Sequence, residues 1–137
     1  MKPSYLLTER DLKEFGLICE RLDGFHPVTN IKHEIVCHSS DGFEWGHCGS
    51  GPSDLALNIL HVLLPVGCDD HDPVKLIKGQ CSQIAFELHH RFKWDFIESM
   101  DREGGIVPID AINSWIKEQM GSSYQGLNQK KLQWFKC

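Results

Sequence analysis

Apolar residues recur at helical spacing along three segments of the chain. In the first, which follows Pro52, the repeating positions are Leu55, Ile59, Leu60 and Leu63. In the second, which follows Pro73, they are Val74, Ile77, Cys81, Ile84, Leu88, Phe92, Phe96 and Met100. In the third, which follows Pro108, they are Ile109, Ile112, Trp115 and Ile116. A period of about 3.6 residues predicts three helices with one apolar face each, and the second helix starts nearer Gln80 if Gly79 interrupts it.

The first part of the chain has shorter apolar runs, which are typical of strands. A short helix is predicted to end at Gly16, and residues 17–22 follow as a strand that ends at the turn dipeptide Asp23-Gly24. A second strand is expected at about residues 31–38, although its apolar and polar positions do not alternate cleanly. These two strands predict a small antiparallel sheet.

A further short strand, Ile106-Val107, is predicted after a pair of glycines. The pattern as a whole predicts an α+β fold, in which a small antiparallel sheet is covered by about three helices. A length of 137 residues fits a single domain, residues 1–137. Residues 121–137 are interpreted as a tail that is either flexible or docked on that domain.

A glycine-rich turn precedes the first long helix. Gly46, Gly49 and Gly51 allow tight backbone geometry, Pro52 suits the first position of a helix, and Ser50 is a candidate cap. Free backbone N–H groups at such a helix start bind carboxylate or phosphate groups. The alternative is a tight corner that binds nothing, and the glycine spacing matches neither a Walker loop nor a dinucleotide fingerprint.

The turn supplies most of the candidate ligand- or partner-binding residues: Trp45, Gly46, His47, Gly49, Ser50, Gly51, Ser53 and Asp54. The second predicted helix adds His89, His90, Arg91 and Lys93, with Trp94 beside them. We interpret these four as a polar helix face that contacts solvent, an anion or a partner, since exposed His, Arg and Trp are useful recognition groups.

Two adjacent pairs, Cys37-His38 and His47-Cys48, contain the residue types of a zinc site. Neighbouring residues on a strand point to opposite faces, so each pair would supply one ligand at most. The acidic loop at 68–72 does not match a calcium-binding loop. No metal ion and no cofactor are therefore predicted.

Catalytic residues are also not predicted. Cys48 beside His47 has no third group to orient the base, and Glu44 with Asp54 is a weak acid and base pair, because an aspartate near a helix start is favoured for structural reasons.

Composition limits the function classes. The chain is 41% hydrophobic and 24% charged, which is typical of a globular protein, and it has no apolar run long enough for a membrane span. A net charge of −5 argues against duplex nucleic acid as a ligand. Residues 1–4 lead into a charged segment rather than a signal peptide, so we expect a soluble, intracellular protein whose six cysteines are reduced thiols.

The run Phe43–Leu60, FEWGHCGSGPSDLALNIL, resembles the WGYGGSGPADLALNIL-type core of a family of small uncharacterised proteins from bacteria, phages and plasmids. With the later helices the resemblance extends from residue 16 to about 118. His47-Cys48 replaces the Tyr-Gly of that core. The resemblance implies no activity, but the distribution of the family implies an accessory role, often directed against the host or its defences.

The leading functional hypothesis is stoichiometric binding to a host or defence-system protein in the cytoplasm of a bacterial host, as an anti-defence type of inhibitor. The second is a site for a small anionic or nucleotide-like ligand at the glycine-rich turn, and the third is a small enzyme. Association with a second copy as a homodimer is left open.

Overall fold

The computed structural model describes residues 10–39 and 41–123. In chain order its helices are α1 (Leu12–Phe15), α2 (Ser50–Leu63), α3 (Gln83–Phe92) and α4 (Ile109–Ser123). The strands are β1 (Gly16–Leu22), β2 (His26–Thr29), β3 (Val74–Lys75), β4 (Gln80–Cys81) and β5 (Gly104–Pro108). Helix α3 continues directly into a π-helical turn, Lys93–Ile97.

The larger sheet has the order β2–β1–β5, and both outer strands run antiparallel to β1. Asp23 and Gly24 have φ angles of 51° and 74°, which is the conformation of a tight hairpin turn between β1 and β2. A second, two-stranded sheet pairs β3 with β4. The predicted α+β fold with a small antiparallel sheet is confirmed.

The position of the second strand was wrong in the sequence-based prediction. Strand β2 occupies 26–29, whereas 31–38 is mainly irregular and forms one isolated bridge, between Val36 and Lys78. The reason is that side chains of α2, described below, bind the backbone N–H groups that a neighbouring strand would otherwise bind.

For the second predicted helix, a start after Pro73 was wrong, and the alternative start nearer Gln80 lies close to the observed start at Gln83. Instead of a helix from Pro73, residues 74–81 form the β3–β4 hairpin, in which Gly79 has a φ of 80°. Ser82 then caps α3 by accepting a hydrogen bond from the Ala85 N–H, so the helix begins later than its apolar stripe suggested. Within that stripe Ile77 is 76% exposed.

Helix α2 is buried along almost its whole length, including Leu55, Leu57 and Ile59. Its closest backbone contacts are with α3 and the π-helical turn, whereas α4 contacts β1 and β5. Together these elements enclose one hydrophobic core.

The five cysteines among the described residues are free thiols, and Cys19, Cys68 and Cys81 are buried. In the acidic loop at 68–72, Asp69 is buried and accepts a hydrogen bond from the Ile84 N–H at the start of α3. Within the described ranges, no helix is both long enough and apolar enough to cross a membrane. The proposed tail at 121–137 lies outside the described residues from 124 onward.

Candidate functional site

Asp54 lies on α2 and is fully buried. Its carboxylate oxygens accept hydrogen bonds from three consecutive backbone N–H groups, with shortest N···O distances of 3.2 Å for Cys37, 2.8 Å for His38 and 3.1 Å for Ser39. The Nε2 atom of His33 approaches the same carboxylate at 3.3 Å. A buried carboxylate requires such donors, and here the donors come from the fold itself. Asp54 thus has a structural role.

Asn58, one helical turn later, extends the same arrangement. Its side-chain oxygen accepts from the N–H groups of Glu34 and Ile35 at 2.9 and 3.0 Å, and its amide donates to the Ile35 carbonyl at 3.0 Å. Residues four apart lie on the same helix face. Asp54 and Asn58 therefore hold the segment 33–39 against α2, with His38 at the end of that segment.

The glycine-rich turn forms a tight corner. The left-handed conformation belongs to Gly46, with a φ of 83°, whereas Gly49 is extended. At Gly51 the constraint is space, because a Cβ atom there would lie 2.9 Å from the Cβ atom of Glu44. Gly51 is thus required by close packing rather than by positive φ.

Helix α2 begins at Ser50, two residues before the predicted start at Pro52, and Gly49 occupies the N-cap position. Ser50 therefore does not cap the helix, and the structure has no side-chain hydrogen bond at this cap. Ser53 Oγ donates to the Gly49 carbonyl at 2.9 Å.

A groove of about 550 Å³ lies beside this corner, and its lining includes His47, Ser50, Asp41 and Glu44. Burial raises the pKa of Glu44, but the hydrogen bond and positive charge of Arg21, at 2.8 Å, outweigh that effect and lower it. An anionic ligand in the groove would therefore meet the carboxylates of Asp41 and Glu44, which opposes its binding.

Trp45, another predicted site residue, is fully buried. Its Nε1–H donates to the Arg102 carbonyl at 3.1 Å, and the Arg21 guanidinium lies 4.5 Å from the centre of its ring. Trp45 is part of the core rather than of a binding surface.

Three histidines meet where the 33–39 segment crosses α3. His38 Nε2 is 3.0 Å from His89 Nε2, and one nitrogen from each of His38, His89 and His90 lies within 4.8 Å of the others. The ring centres of His89 and His90 are 4.1 Å apart. We call these three residues the histidine cluster. His38 and His90 are exposed, whereas His89 is buried.

The protonation state of His89 follows from its surroundings. Its Nδ1 atom contacts the Phe86 carbonyl, which only accepts, so Nδ1 carries the proton and Nε2 presents a lone pair. Burial lowers the pKa of His89 to about 4, so the ring is neutral near pH 7. The prediction that His89 belongs to an exposed polar face was wrong.

Lys93 was also expected on that face, but it is buried. Its ammonium lies 3.5 Å from a carboxylate oxygen of Glu98 and 3.8 Å from the sulfur of exposed Cys48. Burial, followed by the charges of Lys93 and His38, lowers the pKa of His90. Lys93 thus joins the glycine-rich turn to the end of α3.

The earlier metal grouping is not found. Within the described ranges, the histidine cluster is the group of three side chains that could hold a metal ion. Of Cys37, His38, His47 and Cys48, it contains His38 alone. Sequence reasoning named all three cluster members but placed them in two separate groups. It also missed Asn58, although the spacing of Asp54 and Asn58 on one helix face was a usable signal.

Arg91 and Trp94 are exposed, as predicted for the helix face that carries them. Trp94 is 57% exposed, and Arg91 Nη1 donates to Gln119 Oε1 of α4 at 2.9 Å. We call these two residues the Trp94 surface.

No curated protein and no solved structure matches this chain. A family profile does match, over residues 17–70, which run from β1 through the glycine-rich turn and α2. This range contains His38, Asp54 and Asn58 and ends before His89 and His90. Over residues 17–70, the chain is similar to a family of unknown function, DUF6166.

Proposed function

We propose that the protein acts by stoichiometric binding to another protein, through the Trp94 surface. The observation that carries this proposal is the exposure of Trp94, at 57%, three positions from an exposed arginine. Trp and Arg are the residue types most enriched among the few that dominate binding energy at protein interfaces.

The positions of the other predicted site residues favour binding over catalysis. Asp54 accepts hydrogen bonds from backbone N–H groups, and Glu44 forms a salt bridge with Arg21. Trp45 is buried in the core and donates to the Arg102 carbonyl. The groups that general acid or base chemistry at the glycine-rich turn would require therefore already have structural partners.

The partner we propose is a host or defence-system protein in the cytoplasm of a bacterium. This step rests on the resemblance of Phe43–Leu60 to small proteins of bacteria, phages and plasmids, and it is an analogy. The protein would then act as an anti-defence type of inhibitor, with one copy bound to each target.

The test is affinity capture with the tagged full chain from a bacterial lysate, followed by reconstitution with the purified captured protein. We expect a complex of fixed stoichiometry, and Trp94→Ala should weaken it at least tenfold, as about 1.4 kcal/mol or more is lost when an interface anchor is truncated. The matched control is Ile106→Ala on β5, another exposed apolar residue at 67%. Equal effects of both substitutions, or turnover of a small molecule with no partner retained, would overturn the proposal in favour of non-specific contact or of an enzyme.

A second candidate is a small anionic or nucleotide-like ligand at the start of α2. The N-cap has no side-chain hydrogen bond, which favours a ligand that accepts from N–H groups of the first turn. The carboxylates of Asp41 and Glu44 in the adjacent groove oppose an anion there, so this candidate stands second. A thermal-shift screen of nucleotides tests it, because a ligand at about 100 times its dissociation constant stabilises by about 2.7 kcal/mol. A flat screen would argue against this site.

A further inference from the structure

The histidine cluster joins residues from two separate parts of the chain. His38 is positioned by the Asp54 carboxylate, which binds its backbone N–H at 2.8 Å, while His89 and His90 are consecutive on α3. Three imidazole rings can meet in many arrangements, but here one nitrogen from each ring lies within 4.8 Å of the other two. This convergence is independent of the Trp94 surface.

The orientation of His89 is the one that metal ligands adopt in proteins. A ligating histidine donates its second ring N–H to a carbonyl or carboxylate, which fixes the tautomer and aims the lone pair. His89 meets this condition through the contact of its Nδ1 atom with the Phe86 carbonyl. The lone pair on Nε2 points to His38, whose Nε2 is 3.0 Å away.

The spacing is close to what an ion requires. Zn–N distances of about 2.0–2.1 Å place two nitrogens of a tetrahedral site about 3.3 Å apart, slightly more than the distance between His38 and His89. In the metal-free protein, the Nε2–H of His38 donates to His89. Binding then requires the His38 proton to move to Nδ1 and the exposed rings of His38 and His90 to shift slightly.

We propose that His38, His89 and His90 bind a Zn²⁺ ion through three nitrogens, with the fourth position open to solvent. Imidazole donors without carboxylates favour borderline divalent ions over Mg²⁺ or Ca²⁺. Exposure of His38 and His90 gives the ion an entry path and leaves room for a bound water or a ligand atom, as in zinc sites with three protein ligands. The nearby ammonium of Lys93 opposes a cation, but the Glu98 carboxylate 3.5 Å away compensates its charge.

The experiment titrates the full chain with ZnCl₂ after removal of metal by a chelator, in the presence of a non-thiol reductant, using calorimetry. We expect one site per chain. His38→Ala and His90→Ala each remove one ligand at an exposed position and should weaken binding by at least about tenfold. His47→Ala is the matched control, because it removes an exposed histidine outside the cluster and should leave the affinity unchanged.

Thiol binding is the main competing outcome, and Co²⁺ distinguishes it. A site with three histidines gives visible d–d absorption without a sulfur-to-cobalt charge-transfer band, and Cys48→Ser should leave the spectrum as it is. A charge-transfer band, equal affinities for wild type and His38→Ala, or no saturable site at all would each overturn the proposal. Circular dichroism of the metal-free variants checks that an affinity loss is not a loss of fold.

Discussion

Asp54 and His89 are both fully buried polar side chains, and both face the residues around His38, but they are used in opposite ways. The oxygens of Asp54 accept hydrogen bonds from the backbone N–H groups of residues 37–39. The Nε2 atom of His89 faces the exposed side chain of His38 at 3.0 Å. Burial of a polar group therefore does not by itself indicate function. A group saturated by backbone holds the fold, whereas a group aimed at a movable side chain is free to bind something else.

The largest expected effect is that of Asp54→Ala. Three backbone N–H groups lose their acceptor, so the free energy of unfolding should fall by roughly 3–5 kcal/mol, as measured by urea denaturation. Asp54→Asn, which retains one acceptor oxygen, should lose less. Asp41→Ala, at an exposed aspartate, is the control and should stay within about 0.5 kcal/mol of wild type. A loss below about 1 kcal/mol for Asp54→Ala would contradict the structural role assigned to Asp54.

Asn58→Ala tests whether the charge of Asp54 adds to the free energy of unfolding, beyond what a neutral acceptor contributes. Asn58 also binds the backbone of the 33–39 segment, but it is neutral, and hydrogen bonds to neutral groups are weaker. We expect a loss of roughly 2–3 kcal/mol in the same denaturation assay. A loss as large as that of Asp54→Ala would contradict the assignment of the larger effect to the buried carboxylate.

Gly51→Ala examines the corner from which α2, the helix that carries Asp54, begins. The new Cβ would lie 2.9 Å from the Cβ of Glu44, so we expect a net loss of about 1–2 kcal/mol, even though alanine favours a helix. At Gly49 the nearest atom would be 3.5 Å away, so Gly49→Ala should cost less than about 1 kcal/mol. Thermal unfolding of the two variants side by side measures the difference, and a reversed order would refute the packing argument.

His89→Leu gives the smallest effect at neutral pH. Leucine fills a similar volume and His38 turns to water, so stability in a chelating buffer at pH 7.5 should stay within about 1 kcal/mol of wild type. The folded-state pKa of His89 is about 4, below the ordinary value of 6.5. Between these values the unfolded chain binds a proton that the folded chain does not, so wild type loses stability as the pH falls from 6.5 toward 4. The leucine variant should lack this part of the loss, and parallel pH profiles would contradict the neutral, buried state of His89.

The parts of the fold that sequence patterns predicted are those in which local signals agree with each other. Two such places are the glycine corner followed by the apolar stripe of α2 and the glycine pair that begins β5. Each combines a backbone signal with a pattern of apolar residues. The region 74–81 failed because its apolar residues fit a helical period by chance, while Gly79 and the Ser82 cap set the real boundary. Periodicity alone does not distinguish these cases.

The sequence identified the residues of the candidate site but did not predict that they lie close together. His38, His89 and His90 were each noted, but their meeting depends on the path of residues 33–39, and that path is set by Asp54 and Asn58 rather than by a strand. A side chain that replaces a strand partner leaves no periodic signal. The burial of His89 and Lys93 was missed for a related reason, since His89 contacts His38 and Lys93 contacts Cys48, and both partners are distant in the sequence.

The π-helical turn has a consequence for changes in chain length. Its hydrogen bond runs from the Glu98 N–H to the Lys93 carbonyl, five residues apart, so this turn accommodates one more residue than an α-helix does. Deleting one residue between 94 and 97 would restore ordinary helical bonding without moving His89 and His90, which precede it. The same deletion in the 33–39 segment would shift every N–H group bound by Asp54 and Asn58. One side of the histidine cluster is therefore tolerant of a length change and the other is not, so natural or engineered length variation is expected after α3 and not before His38.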